Sequence, residues 1–237
     1  MKYTISISGV VLFTFIIALP LGEILSSYYG YTFELASYSL FAVITALLAV
    51  IIAVLCSIYK DSVKNTSITV LFDLVAPFSL INAAFYIYHL YNRVNVLVIP
   101  IMFICVCCCC YLTLRHGKPS KLKTVSFVLS ALMVLPIGFF GFISLIFGNM
   151  RQDTVINSIK SPNGTYYAEL IDSDQGACGG DTHVYVYENN SIDAGIFKLS
   201  KKPQTVYFGD WGEYKNVKMY WKDDSCIVVN YVEHTIE

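Results

Sequence analysis

The chain has 237 residues, of which 56% are hydrophobic and 14% are charged, and its formal net charge at pH 7 is −1. This apolar composition excludes an ordinary soluble globular protein and indicates a membrane protein. The charge is unevenly distributed, because residues 1–150 contain four acidic residues whereas residues 151–237 contain thirteen, against eight Lys and Arg. The second region is therefore acidic and has no basic patch, which excludes it as a nucleic-acid-binding domain.

Five apolar runs in the first region are each long enough to cross a hydrocarbon core of about 30 Å. We expect all five to be helices, because a backbone in lipid must satisfy its own hydrogen bonds. The first run follows Lys2 and lacks a small-x-small cleavage pattern, which favours a retained helix over a signal peptide. The predicted transmembrane domain covers residues 1–149, with helices at about 5–25, 36–59, 68–90, 94–114 and 122–147.

The short loops predict the orientation of these helices, because Lys and Arg concentrate in cytoplasmic loops. One side has seven basic residues, whereas the short loops of the other side contain only Arg93. We therefore expect a multi-pass protein of the cell membrane with a cytoplasmic N-terminus, so that residues 150–237 lie outside after five crossings. The seven basic residues are Lys2, Lys60, Lys64, Arg115, Lys118, Lys121 and Lys123.

The third helix carries a polar stripe that begins at Ser79 and continues at helical spacing toward the predicted outer surface. Such a stripe should face other helices or a wet cavity, because exposing it to lipid is costly. One hypothesis is a ligand-binding site that opens outward. The alternative, which the pattern favours, is hydrogen bonding between helices together with interfacial anchoring. The residues of the hypothetical site are Asn82, Tyr86, His89 and Arg93.

The fourth helix contains five cysteines within six positions, from Cys105 to Cys110. Their sulfur atoms spread around the helix at about 100° per residue, so they do not converge on one tetrahedral metal ion. Reversible S-acylation is an alternative in a eukaryotic host. Free cysteine behaves as a small apolar residue, and the pattern favours simple packing in the membrane.

Residues 150–237 have the pattern of an antiparallel β domain. Short runs rich in β-branched and aromatic residues predict strands at 165–171, 182–188, 216–221 and 226–234. The segments between them, such as "SPNG", "NNSIDAG" and "KDDS", have turn-forming residues. The predicted fold is therefore a membrane bundle of five helices followed by a small all-β antiparallel sheet or sandwich.

The stretch "SPNGTYYAELI" resembles the Ser-Pro-Asp-Gly turn and following strand that open blades in TolB-type β-propeller repeats, and "WKDDSCIVVN" is similar to a second copy. Two copies are too few to close a propeller of four or more blades. Together with "GDWGEY", these stretches are more similar to exported or membrane-anchored proteins of Gram-positive bacteria. The resemblance covers the C-terminal region alone and implies no catalytic residue.

The stretch "DSDQGACGGD" at 172–181 has three carboxylates, on Asp172, Asp174 and Asp181, which suit the oxygen preference of Ca²⁺. It differs from an EF-hand, because Ala177 and His183 occupy the positions of the required Gly and bidentate Glu. A solvated glycine-rich hairpin loop is the alternative, and the composition favours it. The sequence therefore leaves two interpretations of this stretch, a metal site and a solvated hairpin loop.

Cys178 and Cys226 are the two cysteines outside the predicted helices, and such a pair in an oxidising compartment is a candidate disulfide. A reduced pair is the open alternative. The chain contains no motif for a catalytic nucleophile, a zinc-dependent hydrolase or a nucleotide, so we expect neither an enzyme nor a cofactor.

The predicted function follows from the two regions. The sequence favours a membrane-anchored external module that binds or senses a small ligand or an envelope protein, with the lipid bilayer as its other partner. The alternative is a transporter of small solutes or ions that uses the polar stripe of the third helix. A transporter would be expected to show several broken helices or an internal repeat, and the sequence shows one stripe and no repeat.

Overall fold

A computed structural model describes residues 2–59, 66–89, 97–116, 120–147, 152–176 and 179–236. The chain divides into two compact units. The helical unit consists of Met1–Ile24 and Ser37–Gly148, and the β unit consists of Leu25–Ala36 and Asn149–Glu237. The prediction of a helical bundle followed by a small β domain is confirmed.

Five helices in the described part of the chain are long and apolar enough to cross a membrane. The chain is therefore a membrane protein whose apolar helices contact the lipid bilayer. The second helix begins with a side-chain cap, since Ser37 accepts a hydrogen bond from the Leu40 N–H. The helices are α1 (Lys2–Tyr28), α2 (Tyr38–Ile58), α3 (Thr66–His89), α4 (Val98–His116) and α5 (Lys121–Phe147).

Helix α3 is the central helix of the helical unit. It packs against α4 and α5, and α4 packs in turn against α2. Helix α1 joins through aromatic contacts, with ring centroids 5.4 Å apart for Phe13 and Phe78 of α3 and 5.0 Å apart for Phe15 and Phe41 of α2. Small buried side chains favour the close approach of α2 to its neighbours. They are Ala42, Ala46 and Ala49.

The strands of the β unit form three antiparallel sheets, with the orders β2-β3-β4-β7, β10-β9-β8 and β1-β6-β5. Among the described strands, β1 alone comes from the N-terminal part of the chain. The strands are β1 (Tyr31–Leu35), β2 (Gln152–Lys160), β3 (Tyr166–Asp174), β4 (Gly180–Glu188), β5 (Ser191–Asp193), β6 (Phe197–Lys201), β7 (Gln204–Asp210), β8 (Met219–Trp221), β9 (Cys226–Val229) and β10 (Val232–Thr235).

The core of the β unit lies between the four-stranded sheet and the sheet of β8, β9 and β10. Alternate residues of β3 and β4, including Ala168, Leu170 and Val184, pack with Ile227 and Val229 of β9. Complete burial of each larger aliphatic side chain contributes about 1.5–3 kcal/mol. This shared apolar core joins the two sheets into a small sandwich.

Strand β1 lies in the segment between α1 and α2, which the sequence analysis treats as a loop. It pairs antiparallel with β6 along its whole length, and the rings of Phe33 and Phe197 stack with centroids 5.3 Å apart. The Lys202 N–H extends the ladder by donating to the Gly30 carbonyl at 2.9 Å. The alternation in "YTFEL" is the local signal for this strand, and its partner lies far away along the chain.

The prediction of one strand at 226–234 is wrong, because the structure has a hairpin there. Val229 pairs with Val232, so only two residues form the turn between β9 and β10. Both residues have positive φ, 47° at Asn230 and 70° at Tyr231, as a type I′ hairpin turn requires. The turn was missed because Tyr231 continues the aromatic and β-branched composition of a strand and rarely adopts positive φ.

Replacing Tyr231 by glycine should stabilise the β unit by about 1 kcal/mol, because glycine adopts positive φ without the steric cost that other residues incur. The Tyr231 side chain is 82% exposed, so its removal sacrifices little packing. The free energy of unfolding can be measured by denaturation followed through tryptophan fluorescence, since both tryptophans, Trp211 and Trp221, belong to the β unit.

The matched control is Val232→Gly, which places glycine at an exposed strand position one residue further along. Glycine within a strand should lower the free energy of unfolding by about 0.5–1 kcal/mol. A loss of stability in Tyr231→Gly as large as that in Val232→Gly would contradict the positive-φ turn.

Candidate functional site

The polar stripe predicted on α3 lies in the interior of the helical unit. Ser79 and Asn82 are fully buried, and Tyr86 is 2% exposed. The stripe therefore faces other helices, as expected for polar groups in a membrane segment. His89 lies at the end of α3, and Arg93 lies outside the described residues. Whether these side chains bind a ligand stays a prediction.

Residues from two neighbouring helices surround Tyr86. The Tyr38 ring of α2 meets the Tyr86 ring edge-on, with centroids 6.3 Å apart. Cys105 of α4 is a further neighbour of Tyr86, and Cys109, one turn along α4, interacts with Ser79. These residues form a polar seam shared by α2, α3 and α4 within the bundle.

Asn82 is the most unusual residue of this seam. Neither its Nδ2 nor its Oδ1 atom has a hydrogen-bond partner among the described residues, and the same holds for the Tyr86 hydroxyl. Leaving a buried polar group without a partner costs about 1–3 kcal/mol. These two side chains therefore present polar atoms suited to bind a water molecule or a small hydrogen-bonding ligand.

Two interactions of charged residues lie at opposite ends of α3. His89 Nε2 contacts Glu23 Oε1 of α1, and the His89 ring lies beside the Tyr38 ring with centroids 5.0 Å apart. At the other end, on a different face of α3, the Ser120 hydroxyl donates to Asp73 Oδ2 at 3.2 Å. His89 is therefore already engaged by an acidic partner, whereas Asn82 and Tyr86 offer their polar atoms to the seam.

The five clustered cysteines surround α4 as the helical period predicts. Cys105 and Cys109 are fully buried, Cys107 is exposed, and Cys108 and Cys110 are half-buried. No group of three or more His, Cys, Asp or Glu side chains in the described ranges has the geometry of a metal site. The cluster therefore divides between interior packing and the surface of the helical unit.

The four-stranded sheet carries aromatic side chains on the face opposite to its core. The His183 and Tyr185 rings stack with centroids 5.2 Å apart, and the Tyr167 and Tyr187 rings stack at 4.9 Å. Phe208 of β7 meets His183 edge-on at 5.0 Å. We call this surface the aromatic face. Its members are Tyr167, His183, Tyr185, Tyr187 and Phe208.

Glu169 lies within the aromatic face, directly opposite Tyr185 and two residues from Tyr167. Its carboxyl is half-buried, and this burial raises its pKa. Aromatic ring faces attract cations, and a half-buried carboxylate favours an opposite charge, so the arrangement suits a cationic group. The sequence does not single out Glu169, because an acid at one position of an alternating strand is typical of a solvated face.

The three carboxylates of the predicted metal loop lie at the ends of β3 and β4. Asp172 is opposite Thr182, whereas Asp181 is opposite Ser173. Because neighbouring residues of a strand point to opposite faces, Asp172 and Asp174 lie on one face of the sheet and Asp181 on the other. The sheet register therefore separates Asp181 from Asp172 and Asp174, and calcium binding at this loop stays a prediction.

Asp181 has other partners on its own face. Its Oδ2 atom accepts a hydrogen bond from Gln175 at 3.0 Å, and its Oδ1 atom lies 2.5 Å from His183 Nε2. His183 is in the aromatic face, so Asp181 contacts that face through the imidazole. This placement connects Asp181 with the aromatic face instead of with Asp172.

The predicted disulfide joins Cys178 and Cys226, and Cys178 lies outside the described residues. Cys226 is a free cysteine, 8% exposed, at the start of β9. Its side chain lies on the face opposite to that of Ile227, which packs in the core. The described residues therefore contain no bridge at Cys226, and the pairing with Cys178 stays a prediction.

Comparisons of the chain with protein-family models, curated proteins and solved structures find no match. The fold defines a multi-pass membrane protein with an antiparallel β domain. The resemblance of its C-terminal region to proteins of Gram-positive bacteria stays a prediction.

Asp172 gives the β unit a testable pH dependence. Burial and the nearby Asp174 carboxylate raise the pKa of the Asp172 carboxyl. The Lys215 ammonium partly offsets this increase in the pKa. An acid whose pKa is higher in the folded state makes folding less favourable as the pH rises through that pKa. Asp172→Asn should therefore raise the unfolding temperature at pH 7, and the gain should shrink as the pH falls toward about 4, the ordinary pKa of aspartate, and vanish below it.

The unfolding temperature is measured by tryptophan fluorescence between pH 3 and pH 8. Asp210→Asn is the matched control, because Asp210 is an exposed acid of the same sheet. The explanation fails when the two variants gain equally at pH 7, or when the gain of Asp172→Asn does not change with pH.

Proposed function

We propose that this membrane protein is a sensor or interaction protein whose β unit lies outside the cell membrane and whose helices anchor it and relay its state. The observation that carries the proposal is strand β1. The segment that connects α1 and α2 is itself a strand of the β unit, paired with β6. A partner that moves β6 would thereby act directly on the ends of two membrane helices.

The connections around β1 are short enough to transmit such a movement. Helix α1 ends at Tyr28 and β1 begins at Tyr31, while α2 begins three residues after β1 ends. Lys202, next to β6, donates from its Nζ atom to the Ser27 hydroxyl at 2.8 Å in the last turn of α1. These contacts favour a relay through the first pair of helices.

The same pairing supports the proposed orientation only in combination with the basic residues at the helix ends. Paired strands lie on the same side of a membrane, so an even number of crossings separates β1 from β6. Helices α2 to α5 supply four crossings. Three basic residues lie where α4 ends and α5 begins, on the other side of the membrane from β1 and β6: Arg115, Lys121 and Lys123. Basic residues favour the cytoplasmic side. An outside location of the β unit agrees with both observations.

The aromatic face is the surface best suited to a partner. Glu169 supplies a half-buried carboxylate among aromatic rings, and residues 151–237 contain thirteen acidic residues against eight Lys and Arg. Cation–π attraction and the negative field together favour an envelope protein or small ligand that presents cationic groups.

Proline at Thr32 should uncouple the helices from the β unit. Hydrogen-bonded pairs alternate with non-hydrogen-bonded pairs along an antiparallel ladder. Gly30 and Ala36 are both hydrogen-bonded across this ladder, so Thr32, an even number of residues from each, also directs its N–H toward β6. Thr32→Pro removes this bond and the bond from the Thr32 hydroxyl to the Ser200 carbonyl. Hydrogen exchange of the full-length protein in lipid nanodiscs should accelerate in β6 and also in the last turn of α1 and the first turn of α2.

Thr32→Val is the matched control, since it removes the hydroxyl and keeps the backbone bond, and it should leave the helix ends unchanged. Faster exchange confined to β6 in Thr32→Pro would refute the relay.

Orientation is checked in intact cells with a membrane-impermeant maleimide, after Cys178 and Cys226 are replaced by serine. Tyr31→Cys should be labelled and Ser120→Cys should not, and the reverse pattern would place the β unit inside.

Transport is a second candidate function, favoured by the unpartnered carboxamide of Asn82 in the polar seam. Vesicles that contain the purified protein would then move protons or alkali-metal ions, and Asn82→Leu would abolish this movement without reducing the amount of inserted protein. Ser130→Ala is the control, because it alters another buried polar side chain, on α5. Absence of ion movement through the wild-type protein would remove this candidate for those ions.

A further inference from the structure

Helices α4 and α5 both pack on α3 and make little contact with each other, which leaves an apolar crevice among the three helices. Its volume is about 720 Å³, within the range of roughly 300–1,000 Å³ that is common for ligand sites. Along α4 the lining extends from Val98 to Leu114, a distance of about 24 Å at 1.5 Å per residue. A long, narrow apolar space of this kind fits an extended acyl chain.

The crevice opens sideways onto the lipid-facing surface of the bundle. Phe103, Val134 and Phe142 line it and are 68%, 45% and 59% exposed. Gly138 of α5 also lines it, and a Cβ atom added there would meet no atom within 4 Å. The crevice is therefore continuous with the surface that already contacts the bilayer, and a lipid chain can enter from the side.

A second pocket, of about 700 Å³, lies where α4 ends and α5 begins. It shares Leu114 with the crevice and contains two basic side chains, Lys121 and Lys123. Lys121 is exposed and makes no ion pair within the described residues, while Lys123 donates to the Leu114 carbonyl at 2.9 Å. Ser120, which also lines the pocket, donates a hydrogen bond to Asp73, and the Asp73 carboxylate attracts Lys123. The pocket thus presents two positive charges at the end of an apolar crevice.

We infer that the crevice and the basic pocket together bind one anionic phospholipid. An acyl chain occupies the crevice between α4 and α5, and the phosphate lies at Lys121 and Lys123. Basic pockets between membrane helices attract anionic head groups, which are concentrated in the cytoplasmic leaflet. The crevice is separate from the aromatic face, and it shares Tyr86 with the polar seam. The choice of the cytoplasmic leaflet rests on the proposed orientation, whereas the preference for an anionic head group rests on Lys121 and Lys123.

The first test compares two lipids with identical acyl chains on the full-length protein. Phosphatidylglycerol and phosphatidylcholine are offered to the delipidated protein in detergent, and bound lipid is counted by native mass spectrometry. We expect one phosphatidylglycerol per chain to be retained in preference to phosphatidylcholine. A phosphatidylglycerol with a photoreactive group in its acyl chain should then cross-link to residues 103–114 of α4 and 134–142 of α5.

Variants separate the head-group contact from the acyl-chain contact. The double variant Lys121→Gln with Lys123→Gln should weaken phosphatidylglycerol retention by about 25-fold, roughly fivefold for each lysine near an anionic group. Its control, Lys198→Gln with Lys218→Gln, removes two lysines of the β unit and should have no effect. Gly138→Leu should fill the crevice and abolish the cross-links, whereas Leu135→Phe, which adds bulk at a 77% exposed position of α5, should preserve them.

Three results would overturn the inference. Equal retention of the two lipids, unchanged in the lysine double variant, would exclude a head-group site. Unchanged cross-links in Gly138→Leu would place the acyl chain elsewhere on the protein. The third result has two parts: the wild type shows no lipid preference, and Gly138→Leu loses self-association measured by light scattering in detergent. Together they would identify a helix of a second copy as the occupant.

Discussion

The pairing of β1 with β6 is the interaction on which the organisation of the β unit depends. Strand β6 is the middle strand of its sheet, with β1 on one side and β5 on the other. Without β1, one side of β6 would expose unpaired backbone groups as a sheet edge, which promotes association with other chains. The segment between two membrane helices therefore completes the fold of the β unit. Residues 151–237 alone lack one strand of the β unit.

Helix α3 combines two opposing demands. Its central position requires contact with neighbours on most of its surface, and its buried Ser79, Asn82 and Tyr86 bring polar groups into that interior. The Ser79 hydroxyl is satisfied locally, since it donates to the Ala76 carbonyl at 2.7 Å. Asn82 has no such local partner, and the cost of about 1–3 kcal/mol is comparable with the gain from burying one aliphatic side chain. This imbalance, which Asn82 shares with the Tyr86 hydroxyl, distinguishes both residues from Ser79.

Two glycines one turn apart on α5 illustrate how one helix can both pack and open a binding space. A Cβ atom at Gly141 would lie 3.4 Å from Ile87 Cδ1 of α3, whereas one at Gly138 would meet nothing within 4 Å. Gly141 thus lies against α3, and Gly138 borders the crevice beside α4. The exposed Cys107 and half-buried Cys110 line the same crevice. Two members of the cysteine cluster therefore belong to a lipid-accessible surface, while Cys105 and Cys109 pack inside.

The sequence by itself determined the five membrane helices, the β character of residues 150–237 and the inward direction of the stripe at Asn82. These properties depend on local composition and periodicity, which hydrocarbon and the backbone impose directly. Only the tertiary structure decided the pairing of β1 with β6, the separation of Asp172 from Asp181 and the position of Glu169 among aromatic rings. Each depends on strand register or on contacts between distant segments. A one-residue change of register reverses the face of every side chain, and local sequence does not encode the partner that sets it.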